Sequence, residues 1–64
     1  MVYDDLLNKG VFIRLNTERG EKELIGQYIA FEDPLLLISS RGKKYRINPS
    51  MIIEIREALG KVEP

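Results

Sequence analysis

Four basic residues fall within six positions, Arg41, Lys43, Lys44 and Arg46, with Tyr45 among them and Asn48 just beyond. Cations at that density can hold phosphates while an aromatic ring stacks on a base, the chemistry of single-stranded RNA binding. Arg41, Lys43, Lys44, Tyr45, Arg46 and Asn48 are therefore the candidate nucleic-acid contacts. The same run also reads as a solvated hairpin tip whose lysines guard an exposed strand edge. Phe12, Tyr28 and Phe31 are either further stacking platforms or parts of a core. Glu32-Asp33 is either a cation site or a solvated turn, and adjacent turn residues point apart. Nothing asks for catalysis. The chain has no histidine and no cysteine, and Ser39, Ser40 and Ser50 have no base at a telling spacing. The expectation is a protein without enzymatic activity, catalytic residues, metal or cofactor.

The elements that must position these residues belong to one small domain spanning all 64 residues. A chain of that length buries only about 60% of the surface its unfolded form exposes, and without cysteine or histidine it has no disulfide and no common zinc site. Yet 44% of its residues are hydrophobic. Self-association follows as an expectation from that excess of apolar surface. Ten basic and ten acidic residues cancel, so no overall field draws the chain to nucleic acid or membrane, and binding must rest on a local patch. Apolar runs are far shorter than the roughly 20 residues of a membrane span. No apolar core of secretory type follows the start, where Asp4 and Asp5 stand, so the expectation is a cytoplasmic protein.

The pattern along the chain predicts a mainly β fold. A short helix is expected over about 3–9, capped by Asp4 and stopped by Asn8-Lys9-Gly10, with Tyr3, Leu6 and Leu7 packed over one open end of a barrel. Val11, Ile13 and Leu15 alternate with polar positions, which predicts a half-buried strand over 11–16. A turn at Thr17–Gly20 leads to a long strand over 21–31 with Gly26 in its middle. A glycine there marks a sharp bend or a close approach of another backbone. Asp33-Pro34 suits a turn. Strands follow over 35–40, 44–47 and 51–55, separated by a hairpin turn with Gly42 at positive φ and by the short turn Asn48-Pro49-Ser50. Apolar residues on both faces of the third and fifth strands ask for cover. A polar tail over 56–64, with one helical turn around Glu57-Ala58-Leu59, completes the expectation.

A short helix and five strands with a bent second strand resemble the Sm-like barrel of the Sm, LSm and bacterial Hfq proteins, over roughly residues 3–56. Gly26, Tyr28, Phe31 and Glu32 fall at the spacing of that family's first motif, with Gly20 as the upstream turn glycine. The segment KKYRINPSMIIEI resembles its second motif. The resemblance implies a strongly bent, antiparallel five-stranded barrel whose last two strands pair between subunits in a six- or seven-membered ring. Leu36, Ile38, Met51 and Ile53 would then lie at the oligomer interface. Another small SH3-like barrel is the alternative fold.

The departures concern the family's uridine pocket. Its asparagine position is occupied here by Leu36, and its last turn reads Asn48-Pro49; an aliphatic side chain cannot hydrogen-bond a base and proline has no N–H. Three functions remain open: a ring that binds single-stranded RNA through the basic hairpin and outer surface; a homo-oligomeric structural or protein-interaction module; and a DNA-binding SH3-like barrel. The last lacks the positive excess such proteins carry.

Overall fold

The structure, a computed structural model, describes residues 3–58 and residue 60. Strands β1 (Gly10–Thr17), β2 (Gly20–Glu32), β3 (Leu35–Ser40), β4 (Lys43–Ile47) and β5 (Ile52–Glu57) form a single antiparallel sheet in the order β4-β3-β2-β1-β5. The alternation of Val11, Ile13 and Leu15 sets which side of β1 is buried: Val11 and Ile13 are fully buried and Leu15 packs against them.

β2 is the element around which the sheet turns. A straight strand of its 13 residues would run about 40 Å, longer than the 29 Å longest axis of the molecule, so it bends. Its first half pairs with β1, up to Gly10↔Gln27, and its second half with β3, from Gln27↔Ser39 onward. A bulge in which Ile29 has no partner on β3 adds to the turn. Gly26 lies just before the handover. A Cβ there would run into the Ser39 carbonyl oxygen and lie 3.0 Å from the Ser40 Cβ, so the close approach expected at this glycine is present.

The bend folds the sheet over one core. Tyr28, Leu36, Ile38, Val11 and Ile13 are fully buried, with Leu6 and Ile47 beside them and Leu24, Phe31, Ile52 and Ile55 packed around. The sheet does not close, however. β4 and β5 are its two edges and do not pair with each other, so the expected barrel is an open, bent sheet. Only the 3-10 turn Pro49–Met51 joins them.

The N-terminal helix expected over 3–9 is absent. A single 3-10 turn, Asp4–Leu6, stands in its place, preceded by Tyr3 at φ 56 with no side-chain cap. The physical reason is competition from the sheet. The Asn8 N–H donates to the Tyr28 carbonyl (2.7 Å) and the Tyr28 N–H donates to that of Lys9 (3.0 Å), which pulls Asn8 and Lys9 out of any helix. So short a helix has little cooperativity to resist that pairing. Leu6 still packs into the core as expected.

At the other end, Met51 belongs to the 3-10 turn rather than to a strand, while Arg56 and Glu57, expected in the tail, extend β5. Their backbones pair along β1, and Arg56 stacks on the Phe12 ring at 4.6 Å, so polar side chains are accommodated at the edge. The helical turn expected around Glu57-Ala58-Leu59 is replaced by strand at Glu57; Leu59 lies outside the described residues.

Candidate functional site

The basic run lies on the β3–β4 hairpin. Ser40 pairs with Lys43, and the two residues between them, Arg41 (φ 53) and Gly42 (φ 78), both take positive φ. That is the two-residue turn whose twist matches the flanking strands. Gly42 was expected there; Arg41, a residue with a Cβ, was not.

Strand alternation then divides the cations. Lys43 and Tyr45 stand on the same face as buried Ile47, opposite Ser40 and Ile38, while Lys44 and Arg46 stand on the other face, opposite Ser39 and Leu37. β4 is an edge, so both faces meet along one rim, and Arg41, Lys43, Lys44 and Arg46 are all exposed on it. Arg46 is held: its Nε donates to Glu32 Oε1 at 3.2 Å. Arg41, Lys43 and Lys44 have no ion pair among the described residues. Asn48 is also engaged, because its Oδ1 accepts the Ser50 N–H at 3.0 Å and caps the 3-10 turn.

The expected interface residues separate into two pairs. Leu36 and Ile38 are fully buried in the chain's own core, so no surface of theirs is left for a neighbour. Curvature of the sheet, which a residue pattern does not display, supplies the cover that β3 asked for. Met51 and Ile53 are exposed, at 38% and 45%, in company with Ile25 at 52% and Tyr45 at 39%. Ile53 sits in a bulge: Arg14 pairs with Glu54 and Leu15 with Ile52, so Ile53 has no partner on β1.

The aromatic residues also separate. Tyr28 is core, and its phenol is pushed above the ordinary value of 10.0 first by burial and then by the negative charge of Asp4. Phe31 is half-buried against the core, and Phe12 lies beneath Arg56. Of the aromatic candidates weighed for stacking, Tyr45 presents the most open ring. Glu32 is bound to Arg46, and among the described residues no group of three or more potential metal ligands gathers. Ser40 donates its hydroxyl proton to the Ile25 carbonyl at 2.6 Å, a structural bond across the bend.

Beside β4 lies a cleft of about 420 Å³, bordered by apolar Leu15, Leu24, Ile47 and Met51 and by Lys22, Glu23, Tyr45 and Arg46. The sequence reading passed over Lys22, Leu15 and Leu24 as a site. Pairing of β1 with β2 through the Thr17–Gly20 turn puts Lys22 opposite Leu15, and that register was the signal available for finding them.

Among the described residues no helix is long and apolar enough to cross a membrane. No family model, curated protein or solved structure matches the chain.

Proposed function

We propose that the chain is a self-assembling subunit of the Sm-like kind, which joins β4 of one copy to β5 of the next in a closed ring and presents the β3–β4 hairpin to single-stranded RNA. One observation carries the assembly: the sheet ends on two free edges of unlike character. β4 exposes Lys43 and Lys44 without ion pairs among the described residues, beside Arg46 held by Glu32, whereas β5 exposes Glu54 beside Arg56 (3.4 Å) and Glu57 beside Lys9 (3.9 Å), with apolar Ile53. A free edge is a template for another strand. Like charges disfavour β4 against β4, and unlike charges favour β4 against β5, which selects head-to-tail pairing. Such pairing makes a ring when the rotation closes, with six or seven members if the resemblance to Sm-like proteins extends to assembly. Met51 and Ile53 are the exposed apolar residues that the seam would cover.

Arg41, Lys43 and Lys44 are the RNA contacts, as exposed cations without ion pairs among the described residues. Tyr45 supplies a ring for stacking. A ring repeats the hairpin once per subunit, so contacts that are weak singly add up. The test is fluorescence anisotropy with oligo-U and oligo-A at about 50 mM salt, where weak electrostatic contacts are least screened. Binding that weakens steeply with salt and falls in Arg41→Ala, at a residue in the turn outside β4, supports RNA recognition. Undetectable binding of both oligomers removes it.

A homo-oligomeric structural module without nucleic acid is the second reading. It is favoured by the Arg46–Glu32 pair, which neutralises one of the four cations, and by the zero net charge. Under that reading the same assembly forms and the RNA titration is flat.

A further inference from the structure

We propose that the cleft beside β4 is a binding site for a small amphipathic organic anion, an aromatic or aliphatic body bearing a single carboxylate. The two ends of the bent sheet are closed unequally. At the Tyr28 end, the Asp4–Leu6 turn seats Leu6 in the core, and Tyr3 and Leu7 pack there too. Lys22–Leu24 lie four to six residues back along β2 from Tyr28, on the far side of the bend. There Leu15 and Leu24 are only half-buried and Met51 is exposed. The cleft's 420 Å³ is at the small end of the range usual for ligand sites, about 300–1,000 Å³.

The register supplies the chemistry. Lys22 is opposite Leu15, and two residues on Leu24 is opposite buried Ile13, so Lys22 stands on the core-facing side of β2 beside the aliphatic floor. Its ammonium has no ion pair among the described residues. Glu23 and Arg46 also border the cleft, but each alternates onto the opposite face of its strand. Glu23 is opposite Arg14, and Arg46 is opposite Leu37 with its Nε on Glu32. Among the charged residues that border the cleft, Lys22 is the cation without an ion pair among the described residues, and Glu23 is the carboxylate next to it in the chain. Leu15, Leu24, Ile47 and Met51 offer no hydrogen bonds, which suits an apolar body rather than a base with a polar edge. Tyr45 adds a ring at the rim on which a flat body can rest.

The experiment is an amide chemical-shift titration of the full chain with 2-naphthoate and, in parallel, with uncharged 2-naphthylmethanol. Saturable shifts confined to residues 15, 22–24, 45–47 and 51, with the acid bound more tightly than the alcohol, are expected. Lys22→Glu should weaken 2-naphthoate about fivefold or more and leave the alcohol unchanged. Lys22 is exposed, so the variant keeps the fold, which its own amide spectrum checks. The proposal is overturned by shifts elsewhere, by no saturable shifts because a second copy fills the cleft, or by equal affinity before and after Lys22→Glu. Met51 also lies in the proposed seam, so the subunit count of the same sample is read beside the titration: an assembled protein without saturable shifts overturns the cleft proposal and leaves the ring, and a monomer with them does the reverse.

Discussion

Replacing Gly26 by alanine asks whether β3 crosses the bend of β2 as closely as the fold requires. The glycine does not take positive φ, so alanine meets no backbone obstacle of its own. The obstacle is its surroundings: the new methyl would run into the Ser39 carbonyl oxygen, with Ser40 Cβ at 3.0 Å and Ile38 Cγ2 at 3.1 Å. Ser39 is backbone held in the ladder by its pairing with Gln27, so relief needs β3 itself to move. Overpacking of this kind costs about 1–3 kcal/mol. Moving β3 also stretches the 2.6 Å bond from Ser40 Oγ to the Ile25 carbonyl, worth about 1 kcal/mol. Stiffening of the unfolded chain by alanine offsets about 0.4–1 kcal/mol of this. The net is a destabilisation of about 1–3.5 kcal/mol. Against a total of about 3–10 kcal/mol for a chain of this length, that is a large fraction, and Tm should fall by about 5–25 °C. Urea unfolding followed by circular dichroism measures it. Gly42→Ala is the comparison: φ is +78 but the space is open, so the cost is about 1–2 kcal/mol from the left-handed backbone alone. A Gly26→Ala protein as stable as the parent would show that β3 does not pass over β2 at this point.

Further outcomes concern charge and assembly. Burial, helped by the charge of Asp4, raises the Tyr28 phenol above 10.0 in the folded chain. The unfolded chain therefore ionises first, so its contribution to stability is whole below pH 10 and is lost as pH rises toward the folded value. Thermal melts should fall in that window, and the phenolate absorbance that disappears in Tyr28→Phe should be the part that titrates above pH 10. The Arg46–Glu32 pair is more than half exposed on both sides, so a double-mutant cycle should give less than about 0.5 kcal/mol after solvent screening. Met51→Lys and Ile53→Asp place a charge in the proposed seam and should dissociate the assembly in size-exclusion chromatography. An unchanged elution volume for both variants would move the seam elsewhere.

Features that depend on neighbours in the chain are legible in the sequence. The alternation of Val11, Ile13 and Leu15 places β1, Leu35–Ser40 is bounded as expected, and Gly26 marks the close approach. What could not be read depends on partners far along the chain. Asn8 and Lys9 leave the expected helix because Tyr28, some 20 residues on, captures their backbone. Leu36 and Ile38 looked in need of a neighbour because β3 is apolar on both faces, yet the bend of β2 covers them from within. Arg56 and Glu57 looked like tail because they are polar, but an edge strand keeps its side chains in solvent. The candidate site was legible only in part. The cations of β4 were visible as a run, whereas the Arg46–Glu32 pair and the cleft at Lys22 follow from register.

Native mass spectrometry of the untagged protein tests the central proposal most directly, because it reports subunit number and bound nucleic acid together. Pairing of β4 with β5 around a closed ring predicts a single dominant species at six or seven times 7.4 kDa. A dispersed 7.4 kDa monomer at micromolar concentration would contradict it.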